Sequence, residues 1–239
     1  MQERYILPEL KIESYLKCVS LSIGYKKPFA ENLFFEISGG ELICLIGPNG
    51  SGKSTFLKTI AGLLKPLAGQ ISVFEKNCSE IGANELAKRI AFVPANFPVE
   101  TNIRVFDFVA LGRSPYTSTF GKLEKKDIDI VNLVMGQTET AKFASFRLNS
   151  LSDGEKQRVA LARAIAQDTK ILLMDEPTAF LDYSHRIKLF EFLKKTIKEK
   201  GIAVMVSTHE LDLAKKYADK ILQFNGRGKA FLDMTVEYF

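Results

Sequence analysis

Apolar positions change their rhythm twice along the chain. From residue 16 to 46 the pattern is that of β-structure: "LKCVSLSI" partly alternates, and "LFFEI" and "ELICLI" flank "SGG", which predicts a hairpin turn. "ELICLIG" then runs into a glycine-rich loop and an apolar helix, "STFLKTIAGLL" (54–64), and "GQISVFEK" (69–76) predicts another strand. From about 98 to 168 helical periodicity takes over, in "RVFDFVALGR" and "EKKDIDIVNLVMGQT", with "GRSPYTSTFG" (112–121) as an interruption. Strand and helix alternate again through "KILLMDEP" (170–177), "HRIKLFEFLKKTIKEK" (185–200), "IAVMVST" (202–208) and "ELDLAKKYADK" (210–220). Continuous apolar strands of this kind predict a parallel sheet buried on both faces. "ILQFNGRGKAFLD" (221–233) predicts an edge hairpin at "NGRG". One domain is expected, with β-rich parts at 14–97 and 169–239 around a helical insertion at 98–168, and no large regulatory domain after it.

Composition narrows the class. A chain of 239 residues, 46% hydrophobic and 26% charged, suits one large domain or a core with an inserted subdomain. Its longest apolar runs, "ILLM" and "IAVMV", are strand-sized, far short of the roughly 20 residues a membrane helix needs. "MQERYILPELKIES" lacks a signal-peptide core, so a cytosolic protein that docks on a membrane protein is expected. Cys18, Cys44 and Cys78 show no metal or disulfide spacing and are read as small hydrophobes. The net charge of +5 is mild and dispersed, and "KKTIKEK" (194–200) reads as a solvated helix face, so no nucleic-acid partner is expected.

Three stretches carry chemistry. "GPNGSGKST" comprises Gly47, Pro48, Asn49, Gly50, Ser51, Gly52, Lys53, Ser54 and Thr55, and satisfies G-x-x-x-x-G-K-[ST] between a strand and a helix. Its glycines let backbone N–H groups close around phosphate oxygens, Lys53 supplies a cation and Ser54 a hydroxyl for Mg²⁺. "ILLMDEP" is a buried strand that ends in Asp175, expected beside Mg²⁺, and Glu176, placed to polarise water. His209 follows a strand at its C-terminal end, the ligand edge of a parallel sheet. "LSDGE" (151–155) predicts a capping box from Ser152 and Glu155, and its helix start either simply suits an acid at the positive end of the dipole or is an anion site.

Taken together, "GPNGSGKST", "LSDGEKQRVALARAI" and "ILLMDEPTAFLD", in that order, resemble the ATP-binding-cassette (ABC) ATPases over nearly the whole chain. The resemblance implies an α/β phosphate-loop NTPase fold, an ABC-type nucleotide-binding domain with a RecA-like core, an antiparallel β subdomain and an inserted helical subdomain. It implies that ATP and Mg²⁺ bind at the phosphate loop. Ser152 and Gly154, with Asp153 and Glu155 beside them, would reach the γ-phosphate held by a second copy. Tyr25 would stack on adenine, and Asp182 of "AFLD" would cross the interface of a homodimer. Two positions depart from the family. Asp153 stands where a glycine is usual, and its carboxylate is expected to point away from the nucleotide. Ala95, in "IAFVPANFP", stands where a glutamine usually follows Val-Pro. Asn96 substitutes for it, or water fills the site, or the glutamine was replaced. Weaker coupling to the membrane partner is the expected consequence.

"VALGRSPYTSTFG" and "LDYSH" resemble the branch that imports iron-siderophore, haem and cobalamin chelates. That branch implies a homodimer at the cytoplasmic face of the membrane, under two membrane-spanning permease subunits fed by a substrate-binding protein. Helices around "GRSPYTSTFG" would pass the movement on. Import of another substrate, such as a metal ion, is one alternative, and a nucleotide-binding protein with weak hydrolysis and a regulatory role is another. A DNA-repair or chromosome-structure ATPase would need long coiled coils, and the chain has no sustained heptads.

Overall fold

The computed structural model describes residues 14–96, 102–118, 121–225 and 230–233. Strands β1 (Ser14–Gly24) and β2 (Pro28–Ser38) open the chain. They are followed by β3 (Leu42–Ile46), α1 (Lys53–Ile60), β4 (Ala68–Val73), β5 (Lys76–Asn77), α2 (Ala83–Ala87) and β6 (Ile90–Val93). Helices α3 (Val105–Ala110), α4 (Lys125–Gln137) and α5 (Asp153–Ala166) come next. The chain then runs through β7 (Ile171–Asp175), α6 (Tyr183–Lys200), β8 (Ala203–Ser207), α7 (Leu211–Tyr217), β9 (Lys220–Phe224) and β10 (Ala230–Asp233). None of the described helices is long and apolar enough to cross a membrane.

Two sheets result. An antiparallel one has the order β2-β1-β4-β5, and a second has the order β10-β9-β3-β8-β7-β6. In the second, β9, β3, β8, β7 and β6 run parallel, and β10 closes the edge antiparallel to β9. That last pair is the expected edge hairpin, although 226–229, most of its turn, lie outside the described residues. The apolar runs are continuous because both faces of the parallel sheet are covered. Leu42, Cys44, Leu172, Met174, Val204 and Val206 face a core shared with α3 to α7. Their alternates Ile43, Leu45, Leu173 and Met205 face α1 and the antiparallel sheet. Cys18 and Cys44 are buried, and burial pushes the Cys44 thiol up to about 12, so both are unreactive core residues.

The expected hairpin at "SGG" is a crossover instead. β2 pairs with β1, whereas β3 pairs with β8 and β9, so residues 39–41 carry the chain from one sheet to the other. A side chain at Gly39 would strike the Tyr15 ring at 2.6 Å and the Gly201 carbonyl at 2.9 Å. Gly39 is there for close approach between layers, and Gly40 for its positive φ of 87°. The strand expected over 69–76 also breaks: Phe74 and Glu75 both have positive φ, 49° and 63°, and the chain folds back as β5. A two-residue loop with both φ positive matches the twist of the strands it joins.

The helical stretch is anchored by a buried ion pair. A short 3₁₀ segment, Leu111–Tyr116, follows α3 directly. From it, Arg113 donates to the Asp127 carboxylate on α4 at 3.0 Å and to the Ala166 carbonyl at the end of α5 at 2.9 Å. Its guanidinium also lies 4.1 Å from the centre of the Tyr116 ring. The Gly112 backbone fits so closely on α5 that a Cβ would sit 2.2 Å from the Arg163 carbonyl. The "LGRSPY" stretch therefore fastens α3, α4 and α5 to one another.

Candidate nucleotide site

β3 ends in Ile46, and Gly47–Gly52 lead directly into α1. Gly47 has φ 148°, and a Cβ there would lie 2.2 Å from the Phe224 carbonyl, so only glycine fits. Gly52, φ 106°, precedes α1 and provides no side-chain cap; the first turn contains no acidic residue. Lys53 is buried and folds back over the loop, donating to the carbonyls of Gly47 at 2.7 Å and Pro48 at 3.2 Å. Burial lowers its pKa, and Glu176 and Asp175 oppose that shift. The Ser51 hydroxyl is buried without a hydrogen-bond partner. A buried hydroxyl left unpaired costs about 1–3 kcal/mol, and an uncapped helix start beside it suits an anion.

The ends of β7 and β8 lie across from this loop. Ser54 donates to Asp175 at 3.0 Å, and Ser207 donates to the same oxygen, Oδ1, at 2.7 Å. The Ser207 hydroxyl accepts in turn from the Glu176 N–H at 2.8 Å. This holds Glu176 in the left-handed region, φ 47°, with its carboxylate 2.9 Å from Nε2 of His209. The chain thus brings Lys53, Ser54, Asp175, Glu176 and His209 together at the C-terminal edge of one sheet. Among the described residues, no cluster of three or more His, Cys, Asp or Glu forms a metal cage. One hydroxyl and one carboxylate side by side are a fitting donor set for Mg²⁺, which keeps water and takes its other ligands from phosphate.

Ser152–Glu155 stand apart from that cluster. Ser152 caps α5, and the box is closed in both directions: Glu155 accepts from the Ser152 N–H at 2.9 Å, and Ser152 accepts from the Glu155 N–H at 3.4 Å. The Ser152 N–H and hydroxyl hold the Glu155 carboxyl below the usual range. Asp153 pairs with Lys156 of its own helix at 3.1 Å. At Gly154 a Cβ would lie 3.2 Å from the Phe180 carbonyl, so this helix start packs on the loop after Glu176. That loop ends at Asp182, which caps α6, accepting from the His185 N–H at 3.0 Å and meeting Nδ1 of His185 at 2.7 Å. The His185 N–H, the Ser184 hydroxyl and the His185 ring hold the Asp182 carboxyl well below the carboxylate range.

Tyr25 is exposed in the turn between β1 and β2 and meets Phe29 edge-on, with 6.3 Å between ring centres. A Cβ at Gly52 would contact Phe29 at 3.4 Å, so this aromatic pair lies at the rim of the phosphate loop. Ala95 and Asn96 follow β6, which lies beside β7; 97–101 lie outside the described residues.

Ser207 and Arg186 were not foreseen. Ser207 is readable afterwards as a polar residue closing the apolar run "IAVMV". Arg186 donates to the Leu181 carbonyl at 2.7 Å and forms an ion pair with Glu210, the neighbour of His209. It ties the 177–182 loop to the His209 loop, and no local pattern announces it.

A model of the ABC transporter family matches residues 30–179. The chain belongs to that family. An uncharacterized ABC transporter ATP-binding protein of Methanocaldococcus jannaschii is 41% identical over 207 residues, covering 86% of this chain and 71% of that one. The petrobactin import ATP-binding protein of Bacillus anthracis is 36% identical, covering 87% and 76%. Among solved structures, a metal-chelate type ABC transporter in an inward-facing conformation superposes with a TM-score of 0.83 at 27% identity, covering 95% of this chain and 85% of that one. A dimeric ATP-binding cassette bound to ADP and Pi in a post-hydrolysis state gives 0.79 at 28% identity, covering 94% and 100%. This ABC protein is an ATPase with the cassette fold, and the Gly47–Thr55 loop facing Asp175 and Glu176 is its candidate nucleotide site.

Proposed function

We propose that the chain is the ATP-hydrolysing subunit of a metal-chelate importer, working as a homodimer beneath two membrane-spanning permease subunits and fed by a substrate-binding protein. The single observation that carries its chemistry is the convergence of Lys53, Ser54, Asp175, Glu176 and His209 at one sheet edge. Relatives named for petrobactin, ferric enterobactin and iron-hydroxamate transport, at 36%, 36% and 34% identity, support the cargo class. The dimeric cassette structures support the assembly. A place on the cytoplasmic side of the membrane goes with that proposed role beneath permease subunits.

In this reading Gly47–Thr55 wrap the phosphates of ATP, Lys53 exchanges its two carbonyl bonds for phosphate oxygens, and Tyr25 stacks on adenine. Ser54 and Asp175 would hold Mg²⁺, which supplies neutralisation of phosphate charge when bound. Glu176 orients and polarises the attacking water. His209 fixes the Glu176 carboxylate and faces the terminal phosphate. Ser152 and Gly154 of a second copy complete the pocket, with Asp153 turned to Lys156 and Asp182 at the dimer boundary. Ala95 brings neither a metal ligand nor a water-orienting amide to the end of β6, so the link from hydrolysis to the permease is weaker than with glutamine. Residues 14–97 and 169–239 act as the nucleotide core and 98–168 as the arm that faces the permease.

The test is uptake of an iron-siderophore into cells that lack the chain and are complemented with it or with Glu176→Gln. Restoration by the first alone is expected, together with copurification of two permease subunits. Equal restoration by both would refute the reading.

A further inference from the structure

The phosphate loop is anchored at its ends and bare at its tip. Ser51 donates its N–H to the Pro48 carbonyl at 3.2 Å, closing a turn, and Lys53 donates to that carbonyl and to the one of Gly47. Asn49 and Gly50 form the tip of this turn, and both are exposed. Gly50 has φ 75°, and a Cβ there would have nothing within 4 Å. Among the described residues, neither the Asn49 side chain nor the Gly50 N–H has a hydrogen-bond partner.

An asparagine followed by glycine carries an electrophile and a nucleophile side by side. No side chain at Gly50 shields its backbone nitrogen, and a glycine turns freely enough to bring that nitrogen onto the Asn49 carboxamide. Every other described asparagine except Asn225 precedes a residue with a Cβ. Asn225 is itself engaged. The free, unshielded pair therefore falls inside the loop that is to receive phosphate.

We propose that Asn49 is a self-modification site of the nucleotide-free chain, which deamidates there to aspartate and isoaspartate. The Gly50 nitrogen attacks Asn49 Cγ, and the new N–Cγ bond closes a succinimide ring. The Cγ–Nδ2 bond breaks, and the side-chain nitrogen leaves as ammonia with the proton that Gly50 gave up. Water, the one co-reactant, then opens the ring. Addition at Cγ gives aspartate; addition at the main-chain carbonyl carbon gives isoaspartate, with an extra carbon in the loop backbone. Either product sets a carboxylate against the incoming phosphates. Bound phosphate stops the first step, because a Gly50 N–H that donates to a phosphate oxygen is not free to turn and attack. The inference rests on the nucleotide reading of this loop and adds a consequence to it: a chain left empty loses its site with time while keeping its fold.

The test incubates the purified full chain at mildly alkaline pH without nucleotide and follows each asparagine by peptide mass spectrometry, with enzymatic methyl labelling of isoaspartate. Asn49 should be lost ahead of Asn149, an exposed asparagine that precedes a serine. ADP with Mg²⁺, at about a hundred times its Kd, should slow the loss at Asn49 about a hundredfold and leave Asn149 unaffected. Asn49→Asp, which makes one product directly, should weaken ADP binding about tenfold. In Asn49→Ser, whatever its starting affinity, binding should no longer decline with incubation. Asn49 still intact after Asn149 has reacted, or undiminished nucleotide binding by the deamidated chain, would overturn the proposal. ADP that binds in equilibrium dialysis yet gives no protection would overturn it and leave the nucleotide site standing. ADP that does not bind would overturn both.

Discussion

Two helix starts in this chain meet the same physical problem and solve it in opposite ways. At α1 the orphan N–H groups have no side-chain cap, no acid in the first turn, and a buried unpaired hydroxyl beside them. At α5 the same kind of terminus is closed by Ser152 and Glu155, with Asp153 and Glu155 both in the first turn. One start is built for a charge that arrives from outside, and the other is stable by itself. A helix start that carries its own acids meets a phosphate only when something else has already neutralised most of that charge. On the proposed reading, the difference implies an order of events: nucleotide would settle first at the α1 side, and the α5 side of another copy would close over it.

The strongest way to break the comparison is at Glu176. Glu176→Gln should lower phosphate release about a thousandfold, within the range general-base removal produces, while ATP binding, read by equilibrium dialysis, persists. An unchanged rate would mean the α1 side does not carry the chemistry. Next comes Arg113→Met, which leaves Asp127 buried and unpaired and should destabilise the chain by about 3–5 kcal/mol in urea unfolding. Burial pushes the Asp127 carboxyl up, but the Glu124 N–H and Arg113 outweigh it and hold it low. Its contribution is thus present above about pH 4 and lost as pH falls through the depressed folded value. In Arg113→Met that acid-dependent loss should shrink; an identical pH profile would contradict the role given to the pair. Arg186→Met, which cuts the tie from Leu181 to Glu210, should slow turnover about tenfold, about 1.4 kcal/mol, with nucleotide affinity unchanged. Ser152→Ala removes a cap worth about 1 kcal/mol, lowering Tm by a few degrees. If hydrolysis falls only as far as stability explains, the α5 side has no part in the reaction. The smallest effect is expected for Ala95→Gln: ATPase of the isolated chain changes less than about threefold, and coupled uptake rises.

What could be read from residues alone follows from locality. The phosphate loop is nine consecutive residues, the capping box four, and the strand run ending in Asp175 and Glu176 six, so each shows in a short window. The continuous apolar runs of β3, β7 and β8 made the doubly covered sheet legible for the same reason. The Gly39–Gly40 crossover was not legible, because whether β2 and β3 pair depends on β1, β8 and β9, and the last two lie more than 150 residues away. The role of Arg113 in "LGRSPY" was not legible either: it is buried and bound to Asp127 and Ala166. A charge inside a helical subdomain cannot be told from a surface charge until its partner, 14 residues on, is placed. Arg186 and Ser207 act through bonds to other loops, which leave no mark in their own neighbourhood.

Glu176 also bears on how such proteins age. A glutamate with φ near 47° strains a backbone that Gly or Asn would adopt at roughly 1–2 kcal/mol less cost. Selection for stability and selection for turnover therefore pull this position apart. In any descendant freed from its transport duty, 176 should drift early toward glycine or asparagine, gaining heat resistance as it falls silent. A chain that keeps Lys53 but has made that exchange would be recognisable as retired.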